Sequence, residues 1–91
     1  MTDEQLGRAW CRANGRRPGG CPRHDLTPWR WVYDDGPVYA LPHPLWHSLY
    51  ATAGVSRFDT EAAAYAAVGA ALCELQQRAK EIAEVLKGVP Q

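Results

Sequence analysis

The sequence lacks an excess of charge of either sign, because ten Lys and Arg residues balance ten Asp and Glu residues over 91 positions. A neutral chain has no overall field that would draw it to nucleic acid or to an anionic membrane. Apolar runs are also short, and none approaches the ~18 residues of a membrane-spanning helix. The opening segment, MTDEQLGRAW, is acidic and then amphipathic, which is not the pattern of a secretory signal. These absences predict a soluble protein without a membrane partner.

Cysteine is scarce, and an odd number of three residues without an export signal predicts reduced thiols in a cytoplasmic protein. Cys11, Cys21 and His24 form the pattern C-x9-C-P-R-H, whose turn can present sulfur and imidazole to one ion. A tetrahedral zinc site needs a fourth ligand, which would have to come from a distant part of the chain. The alternative is that Cys11 packs beside the first helix and Cys21 is a loop thiol. Zinc is therefore the one cofactor that the sequence leaves open.

Complete catalytic motifs are absent as well. Cys21 or Ser48 beside a histidine could imitate a nucleophile and its base, but neither is accompanied by a nucleophile elbow or an orienting acid. His43 and His47 are spaced to share a helical face, yet they lack the glutamate that accompanies such a pair in zinc proteases. The sequence thus predicts a protein that is not an enzyme.

Length and patterning predict a single α+β domain over residues 1–91. Thr2 and Gln5 are placed to form a capping box for an N-terminal helix, and Gly15 is placed to end it. Residues 15–28 are rich in Gly and Pro, which predicts a loop.

The secondary structure of the middle of the chain is predicted from the alternation of apolar residues and from turn-forming residues. Residues 29–41, WRWVY-DDG-PVYAL, are interpreted as an aromatic β-hairpin, the small antiparallel sheet of the domain. A short middle helix over residues 43–54 and a short strand within 55–58 follow. A long C-terminal helix from Glu61 to Lys87 packs on the hairpin in this prediction.

The long helix carries an apolar residue every three or four positions. Its first half, EAAAYAAVGAAL, has small residues on nearly every side, so that another backbone or a sheet can approach it. Asp59 or Thr60 can cap its start, and Gly88 can stop it. The spacing follows the a and d positions of a coiled coil: Tyr65, Val68, Leu72, Leu75, Ala79, Ile82 and Leu86.

The predicted helix is too long for its own core. It would extend about 40 Å, whereas a compact domain of this size is roughly 30 Å across, so roughly 10 Å should overhang. We predict a weak homodimer in which residues 72–86 of two chains pack together, either parallel or antiparallel. The alternative is that the stripe packs on the chain's own helices.

Aromatic residues and arginines mark the predicted binding surface. Four Trp can fill a small core, but one or two of them could remain exposed and anchor a protein partner. The residues expected to contact that partner are Trp29, Arg30, Trp31, Leu75, Ile82 and Leu86. An alternative is a DNA- or RNA-binding module in which arginines meet phosphates while tryptophans stack on bases. Its arginines would be Arg16, Arg17, Arg23 and Arg30.

The segment SRFDTEAAAYAAV, residues 56–68, resembles the strand-to-helix junction of AP2-type DNA-binding domains, where an Ala-rich helix packs across a small sheet. As a whole, this short chain without motifs is similar to the orphan proteins of bacteriophages and mobile elements, a group that includes anti-CRISPR proteins. That resemblance implies an inhibitor or adaptor that covers a surface on a host defence complex. The predicted function is non-enzymatic binding that occludes a protein partner. The alternatives are the nucleic-acid-binding module and a zinc-stabilised binding domain.

Overall fold

The computed structural model describes residues 1–20, 29–33, 40–53 and 57–88. Over these residues the chain is mostly helical, with helices of 12, 11 and 27 residues and short strands of two residues each. This composition is compatible with the predicted α+β class. In chain order the elements are α1 Asp3–Asn14, β1 Gly19–Gly20, β2 Trp29–Arg30, β3 Val32–Tyr33, β4 Ala40–Leu41, α2 His43–Ala53, β5 Arg57–Phe58 and α3 Glu61–Lys87.

The helices begin and end within one residue of the predicted positions, because their caps are local features of the sequence. The Gln5 backbone N–H donates to Thr2 Oγ1 at 3.2 Å, and the Thr2 N–H donates to Gln5 Oε1 at 2.9 Å, which completes the capping box. Gly15 follows α1 with a φ of 65°, the left-handed conformation that favours glycine. At the start of α3, the cap is Thr60, whose Oγ1 accepts from the Ala63 N–H at 3.1 Å.

The aromatic hairpin predicted for residues 29–41 is not confirmed. Trp29–Arg30 pair antiparallel with both β1 and β5, whereas Val32–Tyr33 pair in parallel with Ala40–Leu41. A tight hairpin turn joins antiparallel neighbours, so the parallel pairing of β3 with β4 contradicts the predicted turn geometry. The DDG segment expected to form that turn lies outside the described residues.

Helix α1 packs antiparallel on the first half of α3, with almost no space between the two backbones. A Cβ added at Gly7 would lie 1.9 Å from the carbonyl oxygen of Tyr65. One added at Gly69 would lie 1.8 Å from the carbonyl oxygen of Asp3. Only glycine fits at either position, since real Cβ atoms do not approach an oxygen so closely. The small residues in the first half of α3 therefore serve a backbone-to-backbone crossing, as their pattern predicted.

The core lies where the three described helices meet. Trp31 enters it from the bend between β2 and β3, and its indole Nε1–H donates to the carbonyl oxygen of Ala64 at 2.9 Å. The buried cluster consists of Cys11, Trp31, Leu41, Leu45, Leu49, Ala64, Val68 and Ala71. The first half of α3 thus supplies one wall of the core, while α1 and α2 supply the others.

The second half of α3 leaves this core. Every residue from 76 to 88 is exposed, although Val68 and Ala71 earlier in the helix are fully buried. The twelve helical residues 76–87 of this segment rise about 18 Å, nearly twice the predicted overhang. The chain measures 57 × 28 × 23 Å, and its radius of gyration of 14.8 Å exceeds the ~12 Å of a compact domain of this length. We name residues 76–88 the arm and the rest of the described chain the head.

Candidate protein-binding surface

The arm displays large apolar side chains to solvent. Ile82 is 61% exposed, and Val85 and Leu86 are each 67% exposed. At 100° per residue, Leu75, Ala79, Ile82 and Leu86 fall within about 60° of the helix circumference. The exposed residues therefore form a continuous stripe, of the kind that marks an interaction site on a small protein.

The stripe of the arm is the outward continuation of the face that α3 buries in the head. Val68 is fully buried on that face, and Leu72 and Leu75 are half-buried against the edge of the core. Of the predicted partner residues on α3, Leu75 lies at the junction of head and arm, while Ile82 and Leu86 are freely accessible. One continuous apolar pattern thus serves the fold in its first half and is uncovered in its second half.

Polar side chains flank the stripe and stabilise the helix beneath it. Arg78 forms an ion pair with Glu74 one turn earlier, and the Gln77 amide donates to Glu81 Oε1 at 3.2 Å. Both are i, i+4 pairs, each worth about 0.2–0.5 kcal/mol in an isolated helix. Within residues 76–88 three cations stand beside two acids, so the arm carries a net charge of only +1.

The prediction that Trp31 contacts a protein partner is wrong. Its side chain is 1% exposed and is held by the bond to Ala64, so it is a core residue and does not contact a partner. Trp29 and Arg30, two positions and one position earlier, are half-buried in β2 between two neighbouring strands. They stay in the predicted partner surface, but they lie on the head rather than on the arm.

A cation, two acids and two aromatic rings connect α1 to the core. The Arg8 guanidinium lies 4.5 Å from the centre of the Tyr65 ring, and it pairs with Glu4 at 3.0 Å and with Glu61 at 3.6 Å. The hydrogen bond to Glu4 raises the pKa of Arg8, and burial raises the pKa of Tyr65. Tyr65 in turn meets Trp31 edge to face, with ring centres 6.0 Å apart. This connection orients the two helices and is structural.

The predicted nucleic-acid arginines are only partly brought together. Arg30 in β2 pairs with Gly19 in β1. Gly19 follows closely after Arg16, which is half-buried, and Arg17, which is exposed. Burial raises the pKa of the Tyr65 phenol, and the positive charge of Arg17 opposes a small part of that rise. Arg23 lies outside the described residues.

Of the predicted zinc ligands, Cys11 alone lies within the described residues. Cys11 is 1% exposed in the core, and burial raises the pKa of its thiol to about 12. A zinc ligand is a thiolate, so this environment suits the alternative interpretation, in which Cys11 packs beside the first helix. Cys21 and His24 lie outside the described residues, and the described ranges contain no cluster of three or more metal-binding side chains.

The other residues considered for chemistry lie on α2. The rings of His43 and His47 stack with centres 6.1 Å apart on the exposed side of the helix. Ser48 faces the opposite way and is 1% exposed, and its Oγ has no hydrogen-bond partner among the described residues. Among the described residues, no base lies within hydrogen-bonding distance of this hydroxyl, which a serine nucleophile would need.

Two features were missed from the sequence. The Glu4–Arg8 pair has i, i+4 spacing and could have been found by pattern, but the contact of Arg8 with Tyr65 joins residues far apart in the chain. Trp46 and Tyr50 stack with ring centres 5.5 Å apart and planes 13° apart, and Tyr50 is 53% exposed. Their spacing had indicated a helical apolar face without showing that part of it stays in solvent.

Comparison with protein-family models, with curated proteins and with solved structures finds no match to this chain. None of the helices within the described ranges combines the length and apolar character needed to cross a membrane.

Proposed function

We propose that this protein is a non-enzymatic binding protein that covers a surface on a protein partner, and that the arm is its principal contact. The observation that carries the proposal is the uncovered stripe of the arm. Its residues Leu75, Ala79, Ile82 and Leu86 repeat at the spacing with which an amphipathic helix enters a groove on another protein.

The arm supplies part of the energy of a specific contact. Full burial of a Val-, Leu- or Ile-sized side chain contributes about 1.5–3 kcal/mol. Ile82, Val85 and Leu86 are each about two-thirds exposed, so together they offer on the order of 3–6 kcal/mol before the entropic cost of association. Trp29 and Arg30 on the head would extend the contact if the partner is large.

In this proposal the protein is an inhibitor or adaptor of the phage or mobile-element kind, acting in the cytoplasm on a host defence complex by occlusion. What supports occlusion over catalysis is that three large exposed apolar side chains, Ile82, Val85 and Leu86, lie together on the arm, whereas the stacked histidines and the buried serine lie on α2. A rigid projecting helix suits a protein that blocks a groove on its target.

Affinity capture from a bacterial lysate tests the proposal. The full chain serves as bait beside two double variants: Ile82→Asp/Leu86→Asp on the stripe, and Gln77→Asp/Lys80→Asp on the opposite side of the same helix. We expect the first variant to lose the captured protein and the second to retain it. Equal capture by both variants would show that the stripe of the arm does not contact the partner. Recovery of DNA alone would overturn the proposal.

A DNA- or RNA-binding module is the second candidate, because the pairing of β1 with β2 places Arg30 near the segment that carries Arg16 and Arg17. Counterion release predicts an affinity that falls steeply with salt. Fluorescence anisotropy with a labelled single strand, from 50 to 300 mM NaCl, would measure it. An Arg16→Ala/Arg17→Ala variant should bind at least tenfold more weakly at low salt. An affinity that does not change with salt concentration would rule out this candidate.

A further inference from the structure

We infer that the arm pairs with the arm of a second copy of this chain, and that the two arms run antiparallel. The inference rests on the proposed function, because it concerns the same apolar surface: a second copy covers the arm transiently when no other partner occupies it. The sequence left the orientation open, and the geometry of α3 decides it.

The position of the head excludes a parallel pair on steric grounds. The stripe of the arm continues directly into the face on which Val68 and Ala71 are buried, so the head lies on the same side of α3 as the stripe. In a parallel pair, the first half of each α3 would have to occupy the volume of the other copy's head. In an antiparallel pair, each arm lies against the other arm and ends near Leu75, where the head begins.

The residues of the stripe match themselves when one arm is reversed. If the centre lies between residues 80 and 81, Leu75 meets Leu86 of the second copy, and Ala79 meets Ile82 of the second copy. Each central layer then has a large Ile opposite a small Ala, and each end layer pairs two Leu residues. The same pairing repeats by symmetry on the other side of the centre.

Electrostatics support the reversed pair. In an antiparallel arrangement the two helix dipoles oppose each other favourably. Arg78 and Glu81 lie on the same flank of the stripe, and reversal brings Arg78 within about one helical turn of Glu81 of the second copy. The arm carries three cations and two acids, a net charge of only +1, so the repulsion between two copies is weak.

The size of the contact predicts a transient pair. Two segments about 20 Å long and 10–12 Å wide cover roughly 200 Å² of each other's face. Even with surface counted on both copies, this is smaller than the ~1,200 Å² at which stable, specific interfaces begin. We therefore expect monomer and dimer to interchange, with the dimer appearing at tens to hundreds of micromolar.

Sedimentation equilibrium of the full chain from 10 to 500 μM tests self-association. The mean mass should rise toward twice the chain mass with concentration. Ile82→Asp should keep the mass of one chain throughout, and Gln77→Asp, which adds the same charge on the opposite face, should behave like the unsubstituted protein. Circular dichroism of both variants checks that the helix content is retained. A single monomeric species at 500 μM would overturn the inference, while arm-dependent capture of another protein would leave the proposed function standing.

Site-directed crosslinking tests the orientation. Leu75→Cys and Leu86→Cys are made in a chain that also carries Cys21→Ser and Cys73→Ser, and a short bis-maleimide is added at 200 μM protein. The mixture of the two variants should give a crosslinked dimer, and each variant alone should give little, because identical positions are about 16 Å apart along the axis of a reversed pair. Strong crosslinking within either single variant would show a parallel pair and overturn the antiparallel arrangement.

Discussion

Gly7 lies against the carbonyl oxygen of Tyr65 so closely that a methyl group at Gly7 would place its carbon 1.9 Å from that oxygen. The contact is between two helix backbones, so neither side can move away without shifting a whole helix. The crossing of α1 and α3 therefore depends on one missing side chain.

Gly7→Ala should destabilise the fold by about 3 kcal/mol or more, because overpacking against backbone costs at least the ~1–3 kcal/mol seen for extra methylenes in a core. Urea unfolding followed by circular dichroism measures the change. Gly88→Ala is the matched control, since its Cβ would lie 3.6 Å from the carbonyl oxygen of Val85, an ordinary van der Waals contact. A Gly7→Ala protein as stable as Gly88→Ala would show that α1 does not pack on α3 at this distance.

Trp31→Phe should cost about 2–3 kcal/mol of unfolding free energy, because it removes a hydrogen bond worth about 1 kcal/mol and leaves a void in a buried cluster. The indole that is lost is 1% exposed and donates to Ala64. Trp10→Phe, on a half-buried residue at the edge of the core, provides the comparison and should cost under about 1 kcal/mol. Equal losses in the two variants would contradict the central position of Trp31.

Ser48→Ala should raise the unfolding free energy by about 0.5–2 kcal/mol, since a buried hydroxyl without a partner carries a desolvation penalty of about 1–3 kcal/mol. Ser48 is 1% exposed, and its Oγ makes no hydrogen bond within the described residues. Thermal unfolding gives the sign directly. A loss of stability on substitution would mean that the hydroxyl has a partner.

Stability should fall as the pH rises above about 9. Burial raises the pKa of the Cys11 thiol from 9.0 to about 12, so the unfolded chain loses this proton before the folded chain does. The contribution of Cys11 is therefore fully present below pH 9 and declines as the pH approaches the folded value. Tyr65, whose pKa is raised by burial and by Glu61, acts in the same direction.

Urea midpoints of the unsubstituted protein and of Cys11→Ala, measured from pH 7 to pH 11, separate the two groups. The substituted protein should start lower, because it lacks a buried side chain, but its midpoint should decline less steeply. Identical slopes would show that Cys11 ionises as readily in the folded chain as in the unfolded one.

The helices were predictable because their signals are local. Thr2, Gln5 and Gly15 fix one helix through contacts within a few residues, and Thr60 and Gly88 do the same for α3. Two-residue strands carry no comparable signal, since their pairing is decided by distant neighbours. That is why alternating aromatics predicted a hairpin where β3 instead pairs in parallel with β4.

The candidate surface was predictable in its residues but not in its extent. The a and d spacing of α3 located Ile82 and Leu86 correctly on one face. How much of that face the chain covers depends on where α1 and α2 end against α3, which spacing does not encode. The alternation of aromatic residues over 29–33 also did not predict that Trp31 is buried in the core while Trp29 is half-buried.

The two halves of α3 differ in how readily their backbone hydrogen bonds open. Backbone hydrogen bonds near Val68 open only when the core opens, whereas those between residues 76 and 88 are exposed and can open by local fraying. Amide hydrogens should therefore exchange slowly up to about Leu75 and then progressively faster toward Gly88. Contact with any partner along the stripe would be recorded as slower exchange in the arm alone, residue by residue, while the exchange rates of the head stay as they were.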